Sequence, residues 1–405
     1  MKLALLVAIV AGVVSSVQAL GRIPDDRERT WEEEDVIFGD ADDNRRCHTQ
    51  NDGYLPVLQP GKYADSAFHN CFRTDTQIYE YIDALAVQNP TILTKFGVAQ
   101  TVQNRTIWGY KLSTGNRPKS LYFQAQLHAR EWIAGASAVF TLSSFLDDIA
   151  TNKPTPAADF NLYFVPIVNR DGYQLTWGTL RYQRKNANQV DLNRNWPSKY
   201  PNPNPPSQSS EVYPGPFPFS EPETNGIDKW IASKKDEIDG YVDIHSYAGL
   251  ILYAFGDTKL PIGGGVDEKF AALGNAMSAK MVPVGSYIQQ PSWKLYLSYG
   301  VFPDYIFRTY NKPAITIEVV GTDFVAPVST IRTRGKEIYN GLVEYAKQVV
   351  IFNGGTTTAV PPTTTTPTTT KPSVTPAPTT TKPSMTPAPT TTKPSVTPTT
   401  TKPQC

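Results

Sequence analysis

Cysteine and histidine are scarce in this chain, and charge of either sign is almost balanced. Three cysteines, Cys47, Cys71 and Cys405, in 405 residues exclude a small disulfide-stapled scaffold, so a large core has to stabilise the fold. Thirty-eight basic residues against 37 acidic ones exclude a nucleic-acid or membrane-surface partner held by bulk electrostatics. Long apolar runs are missing beyond the first residues: none approaches the roughly 20 needed to span a bilayer. What is present at the start reads as an export signal. Lys2 supplies the positive end, Leu3 to Val14 the short apolar core, and Val17-Gln18-Ala19 the small-residue cleavage site, so residues 1–19 are expected to be removed from a secreted, extracellular protein. In that oxidising compartment Cys47 and Cys71 are the expected disulfide, which leaves Cys405 as the odd thiol.

Composition divides the chain further. From Gly354 to Cys405 it turns to Thr, Pro, Lys and Ser, and Thr368-Thr369-Thr370-Lys371-Pro372-Ser373-Val374-Thr375-Pro376-Ala377-Pro378 repeats from Thr379. So little apolar surface cannot offset the entropy of ordering, which predicts a disordered, O-glycosylated stalk suited to cell-wall or matrix association. Residues 20–60 are polar and acidic, with Glu32-Glu33-Glu34-Asp35 ahead of Arg45-Arg46, and read as a solvated arm or a short pro-segment cut at the arginine pair. Between them lies patterned sequence. Thr74 or Asp75 caps a helix carrying Ile78, Ile82 and Leu85 at helical spacing, which Asn89-Pro90 stops. Strands are predicted over 106–112, 120–126, 162–168, 241–244 and 314–319. Helices are predicted over 132–149, 222–238, 266–281 and 329–350, and Ser220 with Glu223 has capping-box spacing. Alternation of this kind predicts an α/β domain with a mixed, mostly parallel sheet. Sites in such sheets form outside the carboxyl ends of strands, and His128, His245 and Glu318 all fall there.

His128 and Glu131 stand three apart, so one turn of chain can aim both to one side, and His245 closes a second strand-like run. Two histidines and a carboxylate are a ligand set for a catalytic zinc, which keeps one position open for water. Taken singly, each histidine is more often a hydrogen-bonded structural residue, and the other motifs decide between the two readings. Glu318 interrupts the apolar run Ile315-Thr316-Ile317-Glu318-Val319, where a carboxylate beside the metal has the chemistry of a general base. Arg181, Arg184 and Arg194 bring guanidinium forks suited to capturing a carboxylate or steadying an oxyanion. Asn104-Arg105-Thr106 is an N-glycosylation sequon.

In combination, His128-Ala129-Arg130-Glu131-Trp132, Val168-Asn169-Arg170-Asp171-Gly172-Tyr173, Arg181 to Lys185, Asp191 to Trp196, Pro218 to Thr224, His245-Ser246-Tyr247 and Ile317-Glu318-Val319 resemble the A/B subfamily of the M14 zinc metallocarboxypeptidases. The resemblance implies a single three-layer domain over residues 61–353, with its sheet flanked by helices. It implies one zinc ion held by His128, Glu131 and His245, Glu318 as base and acid, and Arg184 as the group that polarises the scissile carbonyl. Asn193, Arg194 and Tyr296 would clamp the free C-terminal carboxylate of a peptide or protein, with Tyr299 and Tyr305 as alternatives to Tyr296. Arg130, Arg181 and Tyr247 would be outer contacts, and Leu252, Gly256, Leu295, Pro303 and Thr316 would surround the last side chain. None of those five is charged, which favours apolar or aromatic C-terminal residues. Asp304 leaves basic specificity as the alternative, and a catalytically silent peptide-binding protein is the rival from another class. Residues 20–60 are too short for the family's folded activation domain, the segment Val319 to Phe324 is shorter than its counterpart, and a monomer is expected.

Overall fold

The computed structural model describes residues 30–281 and 286–355. The leader, the Thr/Pro-rich repeats and Cys405 lie outside them. Eight strands form one sheet in the order β1 (Leu93–Gln100), β2 (Thr106–Leu112), β4 (Asn161–Val165), β3 (Ser120–Ala125), β5 (Ile238–Tyr247), β8 (Ala314–Val320), β6 (Leu250–Tyr253) and β7 (Ile288–Pro291). The four central strands β4, β3, β5 and β8 run parallel. The antiparallel pairs β1/β2, β2/β4 and β6/β8 lie to either side.

Period-two alternation makes the three layers. β3 sends Leu121, Phe123 and Ala125 to one face and Tyr122 to the other, and β5 divides Val242 and Ile244 from Tyr241 in the same way. On the first face pack α2 (Asp75–Gln88), α3 (Trp132–Ala150), α6 (Val266–Met281) and α8 (Ile331–Phe352). On the second pack α5 (Pro222–Ser233) and α7 (Phe302–Tyr310), through Ile227, Ile231, Phe302 and Ile306. Each such side chain, fully buried, stabilises the fold by about 1.5–3 kcal/mol. α3 is the one helix among the described residues long and apolar enough to cross a bilayer, but 78% of its apolar window is buried inside the molecule, as befits a core helix.

Local signals were fulfilled unevenly. α2 begins with the expected capping box, Gln77 N donating to Thr74 Oγ1 and Thr74 N to Gln77 Oε1. The second capping box is not formed. α5 starts from Glu221 without a side-chain cap, because Glu223 is drawn aside to accept from Val102 N and Asn186 Nδ2. The acidic segment read as an arm or pro-segment is a helix, α1 (Trp31–Asn51), and Arg45-Arg46 lies inside it. It is capped by Thr30 and Glu33 and buries Asp40, Ala41, Asn44 and His48 against the body of the protein. His48 meets Phe72 O at 2.6 Å and Asn44 Oδ1 accepts from Phe72 N at 3.0 Å.

Cys47 near the end of α1 is bonded to Cys71, 24 residues on, and so ties α1 to the body of the protein. Closing a loop of this length stabilises a fold by about 3 kcal/mol. C47S is therefore expected to lower Tm by several degrees in a thermal melt, and an unchanged Tm would show that α1 holds its place without the bridge.

Candidate active site

Register brings the site together. β3 ends at Ala125 opposite Ile244, so the chain leaving β3 turns at the level of His245, and β5 pairs His245 with Glu318 of β8. The turn itself is held by Gln126. Its backbone takes a φ of 59°, and its amide, in the orientation that satisfies both atoms, donates to His128 O at 3.2 Å and Glu131 O at 3.0 Å. Glu131 is then the N-cap residue of α3, which anchors the turn in the core through Trp132 and Ile133.

His128, Glu131 and His245 are buried, with their ligand atoms within 4.8 Å of one another. His128 Nδ1 is 2.8 Å from Glu131 Oε1 and 3.0 Å from His245 Nδ1, and His245 Nδ1 is 3.0 Å from Glu131 Oε2. Two imidazole nitrogens and a carboxylate converging this closely are the donor chemistry of a zinc site. The far nitrogens are also engaged, His128 Nε2 by Asp191 Oδ1 at 3.1 Å and His245 Nε2 by Asp243 Oδ2 at 2.8 Å. Burial opposes charge on the Glu131 carboxylate, but His128 and His245 outweigh it and hold its pKa below the usual range. For His245 burial likewise opposes the charged ring, and Asp243 and Glu131 overcome it and push the pKa well up.

Glu318 stands beside this trio, and its pKa is pushed up to about 7, chiefly by burial and then by the charge of Glu131. Its Oε2 accepts no hydrogen bond from the described residues. Arg184 is fixed by Asp191, whose Oδ2 accepts from Nε at 2.9 Å and lies 2.8 Å from Nη2. Ala129 N and Asn169 Nδ2 both donate to Arg184 O, tying the arginine's backbone to the His128 turn.

A cleft of about 210 Å³ opens above these groups, lined by His128, Glu131, Arg184 and Glu318 and also by Asn193, Arg194, Tyr296, Leu252, Leu295, Pro303 and Thr316. A family model described as zinc carboxypeptidase matches residues 78–341. The chain belongs to the zinc carboxypeptidase family. It is 28% identical over 304 residues to rat carboxypeptidase A2, a stretch covering 70% of each chain. It is 33% identical over 194 residues to zinc carboxypeptidase A 1 of Drosophila melanogaster, covering 45% of each. The crystal structure of a carboxypeptidase A from Helicoverpa armigera shares the fold at a TM-score of 0.68 and 23% identity, over 79% of this chain and 80% of that one.

In this zinc carboxypeptidase chain the far end of the cleft is organised by Arg194, whose Nη2 donates to Tyr296 Oη at 3.1 Å. Asn193 faces the cleft with its Oδ1 accepting from Phe302 N, at the head of α7. Gly300 permits this approach: its φ is 71°, and a Cβ there would collide with the carbonyl oxygens of Arg194 and Trp196. Of the three candidate tyrosines, only Tyr296 lines the cleft. Tyr305 donates to Asp228 among Trp196 and Phe219, and Tyr299 lines a neighbouring groove.

Other expected site residues lie elsewhere. Arg181 is buried away from the cleft, donating to Asp40 at 2.6 Å, Arg130 O at 2.9 Å and Phe324 O at 3.0 Å, with its guanidinium over the Trp132 ring. These contacts make Arg181 an internal clasp between α1 and the His128 turn. Arg130 lies over the Phe324 ring and donates to Glu211, and Tyr247 packs edge-on against the same ring. Gly256 backs the cleft from behind Ser298. Asp304 is outside the lining residues, its Oδ2 accepting from Gly256 N at 2.8 Å and Asp257 N at 3.2 Å. Burial foremost, and Asp257 next, push its pKa up to about 7. Asn104 is exposed in the turn between β1 and β2.

The sequence alone assigns Asp191 no role, although it stands in the motif Asp191 to Trp196. It orients His128 and Arg184 together. Burial opposes its charge, and Arg184 and His128 prevail and hold its pKa well below the usual carboxylate value.

Proposed function

We propose that the chain is an exported carboxypeptidase that removes apolar or aromatic residues from the C-termini of peptides and proteins. The observation that carries this reading is one cleft lined by His128, Glu131 and Glu318 together with Arg194, Asn193 and Tyr296, with His245 Nδ1 3.0 Å from His128 and Glu131. Arg194, its fork aimed into the cleft beside Tyr296, pairs with the terminal carboxylate of the substrate. A substrate without that carboxylate leaves these donors unpaired, which is the physical basis of exopeptidase action.

His128, Glu131 and His245 would hold a zinc ion, which would supply Lewis acidity toward a carbonyl oxygen and a water. Glu318 accepts a proton from the attacking water and returns it to the departing amine, and its raised pKa suits both directions. Arg184, pre-aligned by Asp191, donates to the carbonyl oxygen as negative charge grows there. Leu252, Leu295, Val301, Pro303 and Thr316 give the last side chain uncharged walls, and Asp304 is withdrawn behind them. An arginine or lysine side chain would be desolvated there without a partner.

The expected result with N-blocked dipeptides is that C-terminal Phe is released with a kcat/KM at least ~100-fold above that for Arg, the scale of leaving one charged group unpaired. Preferential release of Arg would show that Asp304 reaches the substrate. Export, glycosylation at Asn104 and attachment through the Thr/Pro-rich stalk complete the proposal. The Lys2-to-Ala19 leader, the sequon and the repeat composition support them.

A further inference from the structure

We propose that Asp243 is a positioning residue for the metal, holding the His245 ring with Nδ1 turned to His128 and Glu131 and so tightening the site's hold on a divalent cation. The proposal rests on the reading of His128, Glu131 and His245 as zinc ligands. Asp243 precedes His245 by two residues on β5, so both side chains stand on the same face of the sheet. Two groups compete for His245 Nε2: Asp243 Oδ2 at 2.8 Å and Asn193 Nδ2 at 3.4 Å. The shorter contact is to a carboxylate, which only accepts, so Nε2 donates to Asp243 and Nδ1 is the nitrogen left to a metal. Nδ1 is the atom that faces His128 and Glu131.

Asp191 does the same for His128, but the two carboxylates are balanced differently. Asp191 is neutralised by Arg184 and also accepts from Asn193 N at 2.8 Å. Asp243 is fully buried, its Oδ1 has no hydrogen-bond partner, and it forms no ion pair with Lys or Arg among the described residues. Its register neighbours, Gln124 on β3 and Thr316 on β8, are uncharged. Asp243 therefore acts through His245, and removing its carboxylate loosens the ring that presents Nδ1 to the other two ligands.

The test is the zinc dissociation constant of the full chain, by competition with a chromogenic chelator, for wild type, D243N and D243S, together with Tm in the presence and absence of zinc. D243N keeps the shape and loses the charge, and D243S loses both. Each is expected to bind zinc about 10–100-fold more weakly, the range for a group that orients a metal-ligating histidine. The gain in Tm on adding zinc is expected to be smaller in D243N than in wild type. Zinc affinity within twofold of wild type in both variants, or a lowered metal-free Tm with unchanged affinity, overturns the proposal. A wild-type chain that takes up no zinc sinks the ligand reading itself, and this inference with it.

Discussion

E318Q is expected to reduce kcat for release of a C-terminal residue by roughly 10²–10⁴-fold while the protein keeps its fold and its zinc. The amide matches the carboxylate in shape and cannot take the proton, so the loss of about 3–5 kcal/mol of transition-state stabilisation falls on the chemical step. Metal analysis of the purified variant and a thermal melt separate this from disruption of the ligand trio. The same residue sets the acid limb of the pH profile. Burial and Glu131 raise the Glu318 pKa to about 7, and the base must be unprotonated, so kcat/KM falls as pH drops through the range between an ordinary carboxylate and about 7. A divalent cation beside Glu318 draws the midpoint down within that range. E318Q retaining more than a tenth of wild-type kcat would remove Glu318 from the proton transfer.

R184A is expected to cost about 10²–10³-fold in kcat, the scale of losing one preorganised oxyanion donor. Arg184 is held by two nitrogens on Asp191, so its fork is aligned before substrate arrives. Lysine restores the charge but not the planar fork, and R184K should recover only part of the loss. Removing the guanidinium also strips Asp191 of its main neutralising partner, and Asp191 orients His128. R184A should therefore bind zinc with altered affinity, which makes activity at saturating zinc the proper readout. A change confined to KM would assign Arg184 to substrate binding alone.

What was legible in the sequence follows from where the chemistry shows locally. The strands over 106–112 and 314–320 are dense in apolar and β-branched residues, and their extents match the expectation to within a residue. His128, His245 and Glu318 stand at strand ends or interrupt apolar runs, so each is conspicuous before any contact is known. α1 was hidden because its buried face is made of Asp40, Ala41, Asn44 and His48, which carry no apolar periodicity. β1, with Lys95 and Gly97 in it, and the four-residue strands β6 and β7 are too polar or too short to stand out. Arg181 illustrates a different limit. Its motif marks an arginine near the site, but whether it meets substrate or Asp40 depends on a partner 141 residues upstream. Asp243 was visible as a charge inside Tyr241-Val242-Asp243-Ile244, and only the register and the His245 contact give it a role.

The measurement that bears most directly on the account is hydrolysis by the full-length protein of an N-blocked dipeptide ending in free Phe, beside the same dipeptide with its C-terminus amidated, each with and without a zinc chelator. Release of Phe from the free acid alone, abolished by chelation and restored by added zinc, is the predicted result. Comparable cleavage of the amide, or turnover indifferent to the chelator, would contradict the assignment of Arg194 to the terminal carboxylate or of the His128, Glu131, His245 trio to the metal.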